Sequence, residues 1–400
     1  MTHKPSPLNR KFWTPGVMVM AVFMAAGALS IIARFTGGIG YVTNLSNARP
    51  WGLWVGVDVA TGVALAAGGF TTAALAHIFG RHYYEPVTRP ALLTAALGYT
   101  FVVLGLLVDI GRSWAIWKPM FYWNTNSVLF EVAMCVMVYL NVLYIEFFPI
   151  IAEQFKGRVH LPGLLSGLNS LVDGILKIGD AILEKIMWIF IILGVVLSCM
   201  HQSSLGSLML VAPTKLHPLW YTPILPLLFL TSAFAVGYPM VVFETTLATS
   251  SFKLDDEMGI LTPLTRITIF LLGIYMVLKL GDMAIRGTYV YLLDGTHQTN
   301  SFIIEILFGV MIPWIMLLFE RVRKSRKGIF TAAALIVGGV VLNRINVFIV
   351  GYKPPLAENT YFPAPGEILV TLGLIATLMF IYRFAVTYLP ILQESKEVSS

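Results

Sequence analysis

The sequence predicts an all-α polytopic integral membrane protein: ten transmembrane helices, arranged as two four-helix bundles with one flanking helix at each end. Three observations predict it. Of the 400 residues, 57% are hydrophobic and only 12% charged, and the mean hydropathy of +0.78 requires lipid as solvent. Ten apolar windows of about 20 residues follow one another, each long enough to cross a hydrocarbon core of about 30 Å. A short motif also recurs in the two halves at matching places.

The windows lie near 16–34, 51–79, 90–111, 126–148, 185–209, 218–248, 262–284, 300–320, 328–350 and 365–389. Residues 1–11 are polar and basic and lead into the first window without a small-residue cleavage site, so that window is read as a retained helix. An even number of spans puts both termini on one side. That side holds 18 of the 27 Lys and Arg residues, Lys4 and Lys396 among them, and the run 321–327 anchors it. The asymmetry predicts an inner (cytoplasmic) membrane protein with both termini in the cytoplasm. It also accounts for the net charge of +6, which in a soluble protein would suggest nucleic acid. Between the fourth and fifth windows, residues 164, 165, 168, 171, 172, 175, 178 and 182 are apolar with polar residues between them. Such spacing predicts an amphipathic linker over about 155–184 on the cytoplasmic surface.

Asn126-Ser127-Val128-Leu129-Phe130-Glu131 recurs as Asn300-Ser301-Phe302-Ile303-Ile304-Glu305, and each copy opens a helix entering from the outer face. Asp109 and Arg112 close the span before the first copy as Asp282 and Arg286 close the span before the second. Pro50-Trp51-Gly52-Leu53-Trp54 corresponds loosely to His217-Pro218-Leu219-Trp220. These marks divide the single membrane domain, 1–400, into a first repeat of about 50–210 (helices two to five) and a second of about 217–350 (helices six to nine), related by an axis along the membrane normal.

Counted from the outer helix ends, Asp58, Asp109, Glu131, His201, Lys279, Asp282, Glu305, Arg344 and Glu367 fall in one layer, with Arg112 just beyond it. Each charge inside a span costs roughly 2.5–3.5 kcal/mol, so a whole layer demands a reason. Part of the reason is internal pairing: Asp109 with Arg112 and Lys279 with Asp282 have i,i+3 spacing, and Glu131 and Glu305 sit in first turns favoured by the helix dipole. Asp58, Glu131 and His201 have no such local partner. A quinone headgroup needs what they supply, namely donors to two carbonyl oxygens and groups that deliver protons, beside an apolar slot for its tail. Trp51 and Trp54 suit either that site or an interfacial belt. Glu131 and Glu146, fifteen residues apart on one helix, stand about 22 Å apart in depth and about 60° apart around the axis. With Tyr99 at intermediate depth and Glu244 toward the cytoplasmic end, they outline a proton path.

No metal site is expected. Cys135 and Cys199 have no cluster or haem-attachment spacing, and the intramembrane histidines, His77 and His201, lie at opposite depths. The chain by itself is therefore read as holding neither haem nor iron-sulphur cluster.

Leu107-Val108-Asp109-Ile110-Gly111-Arg112, the segment Asn126 to Glu131, Met200-His201-Gln202-Ser203-Ser204-Leu205-Gly206-Ser207, His217-Pro218-Leu219-Trp220 and Tyr361-Phe362-Pro363 together resemble the NrfD/PsrC (polysulphide reductase) integral membrane subunits, nearest the ten-helix HybB/HmcC/DsrP branch. The resemblance covers almost the whole chain. It implies a quinone-reactive subunit, with menaquinone as the quinone, paired with a periplasmic ferredoxin-like protein carrying 4Fe-4S clusters. Beyond that protein it implies a hydrogenase or a multihaem cytochrome c, with other membrane subunits alongside. It also implies proton-transfer roles for Glu131, Tyr99 and Glu146. The expected catalytic group is Glu131, His201, Asp109 and Arg112, with Asp58 and Trp54 joining them around the quinone. The outer loops near 36–50, 112–125, 211–217, 285–299 and 351–364 are expected to dock the partner. A passive membrane anchor and a proton-coupled secondary transporter remain as rival readings. The transporter predicts a midplane site with paired Gly/Pro breaks, which these helices lack.

Overall fold

Ten helices long and apolar enough to span a bilayer are present among the described residues of the computed structural model, which are 5–8, 10–211, 213–255, 257–355 and 361–392. Lys4 and Lys396 of the charge count, and residues 212 and 356–360 of the outer loops, lie outside them. The helices are α1 (Pro15–Gly37), α2 (Trp54–Ile78), α3 (His82–Asp109), α4 (Val128–Phe155), α5 (Leu165–Leu208), α6 (Leu225–Phe252), α7 (Met258–Ile285), α8 (His297–Leu318), α9 (Arg326–Val350) and α10 (Pro365–Tyr388). Every apolar window of the sequence is matched, and no strand occurs among the described residues.

Starts and stops follow side-chain chemistry. Ser127, Thr296 and Ser325 cap α4, α8 and α9 by accepting the amide N–H three residues on, and Pro365 occupies the first turn of α10. Three starts depart from the sequence reading: α3 begins at His82 instead of near 90, α5 at Leu165 instead of near 185, and α6 also shifts. Helix α6 begins at Leu225 instead of near 218, because residues 217–224 form turns in which Trp220 N–H donates to the His217 carbonyl. Pro223 contributes, since the residue before a proline, here Thr222, is pushed out of the helical region, and Pro226 suits the first turn of the helix that follows.

Helices α2 to α5 close a ring of neighbour contacts, α6 to α9 close another, and α2, α5 and α9 join the rings. Phe70 of α2 meets Phe234 of α6 at 5.3 Å between ring centroids, and the Tyr238 hydroxyl donates to the Thr71 carbonyl. Helices α1 and α10 pair at the flank, against α2 and α3. Small residues permit the closest approaches: a Cβ on Gly309 would stand 2.5 Å from Gly339 Cα, and one on Gly27 2.8 Å from Gly373 Cα.

The linker is not a separate element. From Asn169 it runs without a break into the fifth span, and the 40 residues from there to Leu208 would measure about 60 Å if straight. Gly194 lies against the Glu146 carboxyl and Gly179 against the Phe148 ring, so this helix packs along α4. Asp180 pairs there with Lys156 and Asp173 accepts the Gly157 N–H, while Leu171, Ile175, Ile178 and Ile182 point outward.

Candidate functional site

The face of α5 that turns into the first ring carries Ser198, His201, Gln202 and Leu205, all buried, while Met200 one step round is exposed. Helical periodicity makes this division, since residues three and four apart share a face. His201 Nδ1 stands 3.1 Å from the Tyr99 hydroxyl of α3, whose ring meets Tyr139 of α4 edge-on at 4.5 Å. The Ser198 hydroxyl lies beside both phenols. One turn along α5, Ser204 Oγ donates to Glu131 Oε1 at 2.5 Å. Three side-chain atoms here are buried without a hydrogen-bond partner: His201 Nε2, Ser198 Oγ and Gln202 Oε1. Unpaired polar atoms inside a span are costly, so this cluster is built for something other than stability.

Two cavities lie toward opposite ends of the helices that carry this cluster. On the face away from the termini, about 460 Å³ is bounded by Pro50, Trp51, Asn126 to Leu129, Leu208, Met209, Val211, Lys215, Leu216 and Tyr352. Val128 precedes Glu131 by about one turn, and Leu208 follows Ser204 by about one turn. The wall between Leu216 and Tyr352 is latched by a backbone bridge and by the His217 N–H donating to the Gly351 carbonyl at 2.8 Å. Burial and the nearby Lys353 push the His217 imidazole below its ordinary value, and its Nδ1 accepts the Leu219 N–H. At the terminus face, about 860 Å³ is lined by groups including His77, His82, Glu85, Arg89 and Glu146. Glu146 Oε1 is buried there without a partner, against Gly194.

The remaining predicted residues fall elsewhere. Asp58 accepts from Thr371 of α10 at 2.8 Å, and Asp109, with Oδ1 unpartnered, lies near Arg34 of α1 and Glu367 of α10. Arg34 donates to the carbonyls of Val108 and Ile110 and to Ser113. Glu367 accepts from the N–H groups of Asn44 and Ala364 and from the Tyr361 hydroxyl. Trp54 is buried, 1% exposed, and its indole donates to the Glu367 carbonyl, so it belongs to no interfacial belt. These groups make a second polar cluster between the first ring and the α1/α10 pair, separate from Glu131 and His201.

Neither expected i,i+3 pair forms among the described residues. Helix α3 ends at Asp109, which leaves Arg112 exposed in the following loop, and Asp282 binds Arg286 and Thr222 instead of Lys279. Glu305 is not in a first turn either. Helix α8 starts at His297, so Glu305 is buried deep in the second ring, where Trp220, Asn343 and Asn346 donate to it. Glu244 completes no line with Glu146: it sits between Thr94 of α3 and Tyr382 of α10. The sequence reading missed Tyr139, Ser198, Ser204 and Gln202. The last two stood in a quoted motif, but neutral side chains gave no charge to single them out.

The family model for polysulphide reductase NrfD matches residues 41–355. A protein of Nitratidesulfovibrio vulgaris is 36% identical over 96% of both chains. The probable Ni/Fe-hydrogenase 2 b-type cytochrome subunit of Escherichia coli is 33% identical over 99% of this chain and 97% of its own. The integral membrane subunit of menaquinone reductase from N. vulgaris is 24% identical, over 94% and 91%. With most of its length covered by the family model, the chain belongs to the polysulphide reductase NrfD family.

Proposed function

We propose that this chain is the quinone-reactive membrane subunit of an anaerobic respiratory complex, exchanging electrons between a periplasmic iron-sulphur protein and menaquinone. One observation carries the reading: two pairs of proton-exchanging groups, Glu131 with Ser204 and His201 with Tyr99, lie on the helices whose ends, Val128 and Leu208, line the 460 Å³ cavity. Reducing a quinone takes two electrons and two protons, and oxidising the quinol returns them. The electrons travel through the partner's clusters, and the protons need hydroxyl, imidazole and carboxyl groups at the headgroup. Asn126, Ser127 and Lys215 would hold the carbonyl oxygens, while Val128, Leu129, Leu208 and Val211 offer an apolar wall to the tail. Glu131 exchanges the proton. Tyr139 and Ser198 continue the line toward Glu146, which meets the cavity at the terminus face, so electron flow is coupled to proton movement. Asp58, Asp109 and Trp54 support this site from the neighbouring cluster, and Arg112 and the outer loops face the docked partner, itself linked to a hydrogenase or multihaem cytochrome c.

Haem does not fit, although one relative is called a b-type cytochrome subunit. Axial ligands must face each other at one depth, whereas His77 ends α2 at the terminus face and His201 lies two turns from the opposite end of α5.

The test is reduction of the co-purified partner's clusters by a menaquinol analogue. Wild type should reduce them, and Glu131→Gln should slow the reaction about 100-fold while assembling normally, the usual worth of one acid–base group. A wild-type complex with intact clusters and no quinol reaction would leave a passive anchor or a transporter as the better reading.

A further inference from the structure

Glu131 and Glu305 hold the same place in the repeated motif, but their surroundings differ in kind. Glu131 sits on the rim of the first ring beside a hydroxyl, and the line behind it is made of imidazole, phenols and another hydroxyl. Each of those groups can give up one proton while taking another. Glu305 is 1% exposed and accepts from Trp220 Nε1 at 2.9 Å, Asn343 Nδ2 at 2.7 Å and Asn346 Nδ2 at 2.7 Å. Indole and carboxamide N–H groups donate hydrogen bonds without passing protons on.

Asn343 also faces the other way, its Oδ1 accepting from Arg344 Nη1 at 2.6 Å. Arg344 is 1% exposed, lies 3.7 Å from the Phe229 ring and donates to Ser232, and among the described residues no carboxylate forms a salt bridge with it. A guanidinium does not deprotonate in proteins, and a fixed positive charge in a narrow passage repels a migrating proton. The void beside Glu305, about 10 Å³, has room for a single water, whereas cavities of 460 and 860 Å³ meet the first ring.

We infer that the ring formed by α6 to α9 is a proton-tight partner of the first, in which Glu305 is a locked hydrogen-bond acceptor and Arg344 bars passage. This deepens the proposed function and rests on it, assigning proton movement to one ring of two. Tightness matters, because a leak through the second ring would dissipate what the first one builds.

The complex in proteoliposomes, driven by a menaquinol analogue and carrying an internal pH dye, tests the assignment. Protons moved per electron should be unchanged in Glu305→Gln and should fall at least five-fold in Glu131→Gln. Loss of proton movement in an assembled, electron-transferring Glu305→Gln protein would overturn the inference. Unchanged values in both variants would sink the route through Glu131 and leave the locked Glu305 standing. Should Glu305→Gln fail to assemble, Trp220→Phe withdraws one donor and keeps a ring in place. An unaltered ratio there supports the seal, and an altered one removes it.

Discussion

Ser204 joins Glu131 to the helix that carries His201, and its hydroxyl is the group whose loss is simplest to read. A hydrogen bond contributes about 0.5–1.5 kcal/mol, and 1.4 kcal/mol is a tenfold change in rate. Ser204→Ala should therefore slow quinol-dependent cluster reduction up to about tenfold, followed in a stopped-flow spectrometer, while Ser203→Ala, about 100° round the helix, should match wild type. Equal rates in the two variants would remove Ser204 from the line. Charged members of the site were legible in the sequence because a carboxylate or histidine inside an apolar window stands out. Ser204 and Ser198 were not, since a hydroxyl in a helix is commonly satisfied by the carbonyl four residues back, as at Thr72 and Thr246. Which hydroxyls also turn toward a functional neighbour depends on packing between helices. The Asp109–Arg112 pairing failed for a similarly local reason: i,i+3 spacing brings side chains together only while the helix continues, and α3 stops at Asp109.

Helices were readable because each needs about 20 apolar residues, and their ends were less so because prolines, caps and turns decide them within a few residues. The missed turn at 217–224 carries the latch of the outer cavity, and a pH dependence follows from it. The His217 imidazole is held below its ordinary value of about 6.5, so the folded form keeps it neutral with Nδ1 free to accept the Leu219 N–H. A group depressed in the folded state stabilises fully above its unfolded value, and that stabilisation is lost as pH falls through the folded one. The thermal midpoint of the purified complex should accordingly fall as pH drops from about 7.5 to 5.5, and less steeply in His217→Gln, whose amide oxygen can accept the same N–H. Parallel curves for the two proteins would deny His217 this role. At the opposite face, the amphipathic spacing of the linker was legible but its continuity with the fifth span was not. No proline or glycine cap interrupts 169–208 after its start, so the surface segment runs straight on into the span as one helix.

Orientation belongs to the whole molecule, since ten spans fix which loops share a face but not which face is the cytoplasm. Basic residues supply the bias. The terminus face carries 18 of 27, including the run 321–327 between α8 and α9, and an inserting chain retains basic loops on the cytoplasmic side. With the termini inside, the Asn126 cavity opens to the periplasm, where an iron-sulphur partner could approach it, and the Glu146 cavity opens to the cytoplasmic proton supply. Both native cysteines lie within spans, which leaves the loops clear for labelling. Tyr122→Cys, replacing a side chain 69% exposed between α3 and α4, should react with a membrane-impermeant maleimide in intact cells, whereas Lys324→Cys should react only after lysis. The reverse pattern would turn the molecule over. A periplasmic donor would then face the Glu146 cavity, and the assignment of quinone to the Asn126 side would fall with it.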